Sequence, residues 1–271
     1  MAVIQQNQKT CIFCAERGVN SNEHFFPVWL PSAIKKWDMS DHQIIRVTEN
    51  LNEGTNSRKS NAKYGALATR KIRCVCAICN NGWMSRSEQA AKPFLEPLIA
   101  GKTTPLSDGA IRAIAHWIAI KVIVAEHGDQ KTIVTPQEIR TGVMQGIVPD
   151  CFNIYIGAHL AQNLGFCRTS HTVGLLPNAF PPDTDGTVPK NVQQVSFTLG
   201  RFFTVVNVCL VPSVNLEKIS GYIGFYEISK IWPVRKFMFW PSVQPLTASQ
   251  LNELVTSIHT AVGGSPLSAM N

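Results

Sequence analysis

The longest apolar stretch of the chain covers residues 110–125 and is interrupted by Arg112, His116 and Lys121. Such a stretch predicts a helix over about 108–127 that is apolar on most faces and therefore lies centrally in the core. It is shorter than the roughly 20 residues that a helix needs to cross a bilayer, so we expect no membrane association. Within this helix, His116 is expected to be a core histidine with a satisfied ring.

Beyond residue 150 the pattern becomes rich in strands, because short apolar runs alternate with turn signals. Two helices accompany these strands: a short one at 137–145, N-capped by Thr135, and a terminal one at 248–261, N-capped by Thr247. The predicted strands cover residues 152–158, 166–175, 195–199, 202–211, 222–228 and 234–239. This half of the chain is expected to be an α+β domain with a mainly antiparallel sheet.

The first hundred residues are predicted to hold short elements separated by turns. In chain order these are a turn at 11–14, a strand at 23–26 ended by Pro27, a helix at 29–37, strands at 43–48 and 69–75, and a helix at 80–91 closed near Pro93. Gly82 disfavours helix geometry by about 1 kcal/mol relative to alanine, so an irregular start of the last helix is expected. A turn-rich stretch at 101–109 divides the chain into expected domains of residues 1–105 and 106–271.

Two cysteine doublets, Cys11-x-x-Cys14 and Cys76-x-x-Cys79, lie in the first region. Together they supply four thiolates, the ligand set of a closed tetrahedral zinc site. Zinc (Zn²⁺) held in this way is structural, because no coordination position remains for a substrate. A knuckle, a strand pair, a second knuckle and a helix form the layout of a treble-clef zinc finger. Cys74 is predicted to be a buried strand residue and not a ligand.

The composition is that of an ordinary globular protein, with 45% hydrophobic and 16% charged residues. The first residues show neither the charge nor the apolar run of a signal peptide. Eight cysteines with doublet spacing and no such signal favour thiolate ligands in a reducing compartment over a secreted disulfide framework. The expected location is therefore the cytoplasm.

Positive charge is concentrated between the two doublets. The formal net charge of the chain is +7, and residues 54–87 contain cations but no acid. Such a segment attracts phosphate backbones and releases counterions on binding. A solvated loop, or compensation for the negative charge of a zinc tetrathiolate, explains the same residues about as well. The predicted nucleic-acid-binding residues are Arg58, Lys59, Lys63, Arg70, Lys71 and Arg73.

An acid–histidine pair and an asparagine adjoin the doublets. Glu23-His24 precedes an apolar–x–Pro tail, and Asn80 follows Cys79 directly, at the start of the predicted helix. Imidazole accepts protons near neutral pH, and carboxylate and amide oxygens suit Mg²⁺. The start of a helix also favours an anionic phosphate. Because consecutive strand residues point to opposite faces, Glu23 and His24 can share one site only where the strand ends or bulges.

These segments, Cys11-Ile-Phe-Cys14, Glu23-His24-Phe25-Phe26-Pro27 and Cys76-Ala-Ile-Cys79-Asn80, resemble in this order the zinc-containing HNH endonuclease family. Residues 79–85 are also similar to a subset of HNH-like bacterial and phage proteins. The resemblance covers about residues 8–100 and leaves residues 110–271 without a counterpart.

The resemblance implies a metal-dependent endonuclease that hydrolyses phosphodiester bonds in DNA, with RNA left open. His24 would be the general base, and Glu23 and Asn80 would help to hold one divalent cation, Mg²⁺ or Mn²⁺. The second domain would recognise substrate, dimerise or sense a signal, and a homodimer fits double-strand cutting. Two alternatives stay open: a non-catalytic zinc-finger module that binds nucleic acid or a protein partner, and a structural zinc protein with no nucleic-acid role.

Three further side chains near the predicted site have plainer expectations. Glu88 lies two turns after Asn80 on the same predicted helix face and is expected to be a solvated surface acid. Trp29 and Trp83 are expected to pack against the small zinc core and not to stack on bases. No role is assigned to the histidines other than His24 and the core residue His116.

Overall fold

A computed structural model of the chain describes residues 9–34, 42–44, 63–65, 71–128, 133–161, 166–173, 190–212, 214, 228–233 and 237–261. Within these ranges the protein is a mixed α+β structure, and its strands pair in antiparallel fashion. The predicted fold class is thereby confirmed in its coarse form.

The helices and strands of the described ranges are short in the first region and longer in the second. The helices are α1 (Leu30–Ala33), α2 (Ala77–Cys79), α3 (Ser85–Ile99), α4 (Asp108–Glu126), α5 (Gln137–Met144) and α6 (Ala248–Ala261). A π-helical turn, Asn80–Met84, joins α2 to α3. The strands are β1 (Ser21–His24), β2 (His42–Ile44), β3 (Lys63–Gly65), β4 (Lys71–Val75), β5 (Thr104–Leu106), β6 (Phe152–Ala158), β7 (Phe166–Val173), β8 (Val192–Leu199), β9 (Phe202–Cys209), β10 (Ser229–Trp232) and β11 (Met238–Trp240).

The main sheet has five strands in the order β10-β6-β9-β8-β7, and three two-stranded sheets are formed by β1-β4, β2-β3 and β5-β11. Strands β8 and β9 are buried along almost their whole length, because both faces of the main sheet are covered. One face, with Phe197, belongs to the large core, and the other face, with Phe203, packs with Leu251 and Leu254 of α6. Alternate strand residues point to opposite faces, which produces this division.

Helix α4 lies at the centre of the large core, as its apolar pattern predicts. Ser107 caps its start by accepting a hydrogen bond from the Ala110 amide at 3.2 Å. The ring centroid of Trp117 lies 6.0 Å from that of Phe197 in the main sheet. Phe26, which follows β1, also meets Phe197, with 6.1 Å between the ring centroids. The first region and the main sheet therefore share one hydrophobic core. The boundary near residue 105 stays a prediction.

Several sequence predictions are confirmed. Strand β6 has the predicted bounds, β7 and β9 begin where expected, and α6 matches the predicted terminal helix. Thr247 caps α6 by accepting a hydrogen bond from the Gln250 amide at 3.3 Å. Among the described helices, none has both the length and the apolar character that crossing a membrane requires.

Other predictions are wrong or incomplete. Pro136, and not Thr135, is the N-cap of α5, because the Thr135 hydroxyl instead donates to the buried Glu126 carboxylate at 2.7 Å. Strands β3, β5 and β10 were not expected, and the segment of β5 was assigned to the turn-rich stretch at 101–109. The predicted strand at 222–228 lies outside the described residues except for its last position, which is not in a strand.

Helix α3 continues beyond the predicted stop at Pro93 and contains Pro97 as well. A proline inside a helix removes one backbone hydrogen bond and usually ends or kinks the helix. Here the last turns contribute Leu95, Leu98 and Ile99, which are almost completely buried in the core. The burial of these side chains outweighs the local cost of the prolines.

A four-cysteine cluster beside a charged pocket

The sulfur atoms of Cys11, Cys14, Cys76 and Cys79 all lie within 4.8 Å of one another. The Sγ atoms of Cys14 and Cys76 are 4.0 Å apart. Zinc–sulfur bonds of about 2.3 Å in a tetrahedron place the sulfurs about 3.8 Å apart, so small shifts of the side chains would bring the four sulfurs around one ion. The four side chains thus fit a metal ion such as zinc, as the doublet spacing predicted.

Local hydrogen bonds shape both cysteine turns. The Cys76 Sγ accepts a hydrogen bond from the Cys79 amide at 3.4 Å, and the Asn20 side chain accepts one from the Ala77 amide at 2.7 Å. In the first turn, Ala15 has a positive φ of 57°. Burial raises the pKa of the Cys14 thiol, but hydrogen bonds from backbone amides outweigh it and bring that pKa to about 7. A thiolate, the form that binds metal, is therefore readily available at Cys14.

Helix α5 contacts the first cysteine turn through side-chain hydrogen bonds to its backbone. The guanidinium Nε of Arg140 donates to the Ile12 carbonyl at 2.8 Å, and the Gln137 side-chain amide donates to the Phe13 carbonyl at 2.9 Å. Trp83 packs edge-on against Phe13, with ring centroids 4.9 Å apart. This confirms the expected packing role of Trp83. The hydrogen bonds from Arg140 and Gln137 also show that residues after 105 help to hold the cysteine cluster.

Cys74 does not belong to the four-cysteine cluster. Its side chain is 5% exposed within β4, and burial raises the pKa of its thiol to about 12. Its backbone carbonyl accepts a hydrogen bond from the Ile12 amide at 3.0 Å, which ties β4 to the first cysteine turn. The prediction that Cys74 is a small buried strand residue is confirmed.

Strand β1 ends at the position that a shared site for Glu23 and His24 requires. It pairs with β4, with Glu23 opposite Ile72 and His24 opposite Lys71, and a register shift lies between Ser21 and Glu23. The strand ends at His24. The shift precedes Glu23, so the two residues keep regular pairing with β4, and the end of the strand at His24 is what frees that side chain from strict alternation. Both side chains line the same pocket.

This pocket has a volume of about 210 Å³ and lies next to the cysteine cluster. Its polar lining comes from β1, from the π-helical turn, and from α3 and α4. The polar lining residues are Glu23, His24, Asn80, Asn81, Ser85, Glu88 and Lys121. The three residues that the sequence singled out for chemistry thus line one pocket, together with a second carboxylate and a buried lysine.

Lys121 is the residue of the pocket that sequence reasoning missed. It is 2% exposed, and its Nζ lies 2.7 Å from Glu23 Oε1 and 3.6 Å from Glu88 Oε2. The same Nζ donates a hydrogen bond to the His24 backbone carbonyl at 3.3 Å. A buried ammonium ion is tolerated only when it is paired in this way. The one signal in the sequence was a lysine inside an otherwise apolar helix.

Glu88 is not the solvated surface acid that its position on a predicted helix suggested. Its side chain is 28% exposed and faces Lys121 across the pocket. The partner that draws it inward lies on another helix, 33 positions further along the chain. Helix periodicity alone could not indicate this contact.

Asn80 lines the pocket, but it does not lie at the start of a helix. The helical turns begin at Ala77 with Cys76 as the N-cap, and the Asn80 amide donates to the Cys76 carbonyl at 3.0 Å. Its side-chain Nδ2 donates to Ser21 Oγ at 2.7 Å. The expected contribution of free helix amides at Asn80 is therefore wrong. The irregular helix start near Gly82 is confirmed, since this glycine has non-helical angles of −92° and −107°.

Only part of the basic segment can be placed. Lys71 and Arg73 are exposed on one face of β4, and Lys71 is the cross-strand partner of His24. For Lys63 the structure gives the backbone in β3 alone. The predicted residues Arg58, Lys59 and Arg70 lie outside the described residues.

Comparisons of the chain with protein-family models, with curated proteins and with solved structures find no match. Any functional conclusion therefore depends on the residues and on the geometry of the pocket.

Proposed function

We propose that this protein is a metal-dependent endonuclease of the HNH type, which hydrolyses phosphodiester bonds in DNA. The observation that carries the proposal is the common pocket of Glu23, His24 and Asn80 beside the four-cysteine cluster. In the proposal the cysteines hold a structural zinc ion, and the two cysteine turns with the β1–β4 pair and the following helix form a treble-clef finger. The Glu23-His24 pair and Asn80 lie far apart in sequence, so their meeting is not a consequence of local spacing.

Each residue of the pocket has a defined task in this proposal. The half-buried imidazole of His24 accepts the proton of the water that attacks phosphorus. The Glu23 carboxylate and the Asn80 amide oxygen would bind a divalent cation, Mg²⁺ or Mn²⁺. Once bound, such a cation offsets the charge that develops on the phosphate and on the leaving oxygen.

Further contacts support a phosphodiester as the substrate. Lys71 is exposed directly across the strand pair from His24, and Arg73 lies on the same face of β4. Two cations on this face would hold the phosphates that flank the scissile bond. Lys121 fixes the end of β1 through a hydrogen bond to the His24 carbonyl.

Plasmid nicking tests the proposal. The zinc-loaded protein is incubated with supercoiled DNA and with Mg²⁺ or Mn²⁺, in parallel with His24→Ala. We expect nicking by the unchanged protein and a loss of about a hundredfold or more in the variant, the typical contribution of a general base. His127→Ala is the matched control, since this histidine is also half-buried but does not line the pocket. Equal nicking by the protein and by His24→Ala would remove His24 from the mechanism.

A second function is favoured by one specific observation, the ion pair between Glu23 and Lys121. If Lys121 occupies the Glu23 carboxylate permanently, the domain is a non-catalytic zinc-finger module that binds nucleic acid through Lys71 and Arg73. That alternative predicts salt-dependent DNA binding, no nicking with any divalent cation, and no effect of His24→Ala.

A further inference from the structure

The proposed function does not by itself explain why the pocket contains a buried lysine beside two carboxylates. Two carboxylates, Glu23 and Glu88, face one ammonium group, that of Lys121. These three groups together therefore carry one net negative charge. A divalent cation would turn this into one net positive charge, and a phosphodiester would then compensate it.

Lys121 donates two hydrogen bonds and forms an ion pair with a second carboxylate. Glu23 Oε1, the His24 carbonyl and Glu88 Oε2 lie at 2.7, 3.3 and 3.6 Å from Nζ. A cation on Glu23 or Glu88 therefore shares its carboxylate ligands with an existing positive charge. Since like charges repel strongly in a partly buried site, the lysine must weaken the binding of the cation alone.

We propose that Lys121 makes the binding of the divalent cation depend on the phosphodiester, and that Glu88 is a second carboxylate of the cation site. The inference rests on the proposed function and deepens it. The phosphate supplies the negative charge that lets the cation and the ammonium group occupy the pocket together. By linkage, the cation then strengthens phosphate binding by the same factor. Lys121 acts here as a positioning residue that touches neither the reacting atoms nor the substrate.

The test measures Mn²⁺ binding by electron paramagnetic resonance, with and without a short DNA duplex. All proteins are zinc-loaded and carry His24→Ala, so that the duplex stays intact during the titration. In this background we expect the duplex to tighten Mn²⁺ binding by about tenfold or more, a usual size for coupled sites. With Lys121→Met added, Mn²⁺ should bind about tenfold more tightly without DNA, and the duplex should add less than about threefold.

Two more variants serve as a control and as a second test. Lys92→Met removes a lysine from α3 that is 40% exposed and paired with Glu96, so it should leave Mn²⁺ binding unchanged. Glu88→Gln keeps the shape of a half-buried side chain, and it should weaken Mn²⁺ binding about fivefold or more in the presence of DNA. This second variant decides the matter if Lys121→Met does not retain its zinc or its fold.

The possible results distinguish failure of this inference from failure of the proposed function. Mn²⁺ affinity that is independent of DNA, or unchanged by both Lys121→Met and Glu88→Gln, overturns the inference. If the unchanged protein still nicks DNA in that case, the proposed function stands without it. If the protein neither nicks DNA nor binds Mn²⁺, the inference and the proposed function both fail.

Discussion

The ion pair between Glu23 and Lys121 allows a quantitative prediction. Its side chains are 10% and 3% exposed, and the charged atoms are 2.7 Å apart. At an effective dielectric constant of about 20, the Coulomb attraction at this distance is about 6 kcal/mol. Desolvation of the two ions offsets most of this gain. Removal of one partner is nevertheless expensive, because it leaves an uncompensated buried charge.

Lys121→Met is expected to lower the free energy of unfolding by about 3–5 kcal/mol, the usual cost of breaking a buried pair. Glu23→Gln should cost less, because Lys121 keeps Glu88 as a partner at 3.6 Å. In the double variant neither the carboxylate of Glu23 nor the ammonium group remains. Its cost should therefore fall short of the sum of the single costs by at least about 1.5 kcal/mol.

Urea unfolding of the zinc-loaded proteins, at a fixed free zinc concentration, measures these energies. The matched control is the pair of Lys92 and Glu96, which are 3.6 Å apart and 40% and 48% exposed. The same substitutions there should show a coupling energy below about 0.5 kcal/mol, as is typical of surface pairs. A Glu23–Lys121 coupling no larger than that of the control would refute the reasoning, since the two charges would then not depend on each other.

Three further predictions test other parts of the structure. Cys76→Ser should abolish stoichiometric zinc binding in metal analysis, whereas Cys74→Ser should retain it; loss of zinc from both would contradict the ligand assignment. Gly200→Ala should destabilise the protein by about 2 kcal/mol or more in thermal unfolding, because this residue has φ +58° and a Cβ would overlap a backbone oxygen of α3. Gly142→Ala, in α5 with open space around it, should instead stabilise by about 0.5–1 kcal/mol. Burial raises the pKa of Glu126 to about 7 from its ordinary value of about 4.5, so folding favours its protonated form, and stability should fall as pH rises from about 4.5 to 7, by up to about 3 kcal/mol. Glu126→Gln should lack this part of the pH dependence in urea titrations, and an unchanged slope would contradict the prediction.

The elements and the cysteine cluster were predictable because their signals are local. Alternation of apolar residues marks strands such as β6, and a threonine before an apolar repeat marks the start of α6. The spacing of Cys76 and Cys79 fits chelation by itself, whatever the rest of the chain does. Cys74, at the wrong spacing, could be set aside for the same reason.

The charged contacts were not predictable because they depend on packing between distant segments. Lys121 and Glu23 are 98 positions apart, and no local pattern relates them. Glu88 looked like a surface acid because its helix was read without the neighbour that covers it. Thr135 looked like a helix cap, but its hydroxyl donates instead to the buried carboxylate of Glu126, nine positions earlier in the chain.

The contacts of the pocket also bear on what the second half of the chain does. Lys121 supplies a charge to the pocket, and Trp117 and Ile120 of the same helix form part of its wall. Arg140 holds the backbone of the first cysteine turn from α5. A recognition or dimerisation role for residues after 105 would not require any of these contacts. The first half therefore carries the groups proposed for chemistry, whereas α4 supplies a charge to the pocket and α5 holds the first cysteine turn. A change in α4 is therefore expected to alter the pocket without touching the residues of the proposed motif.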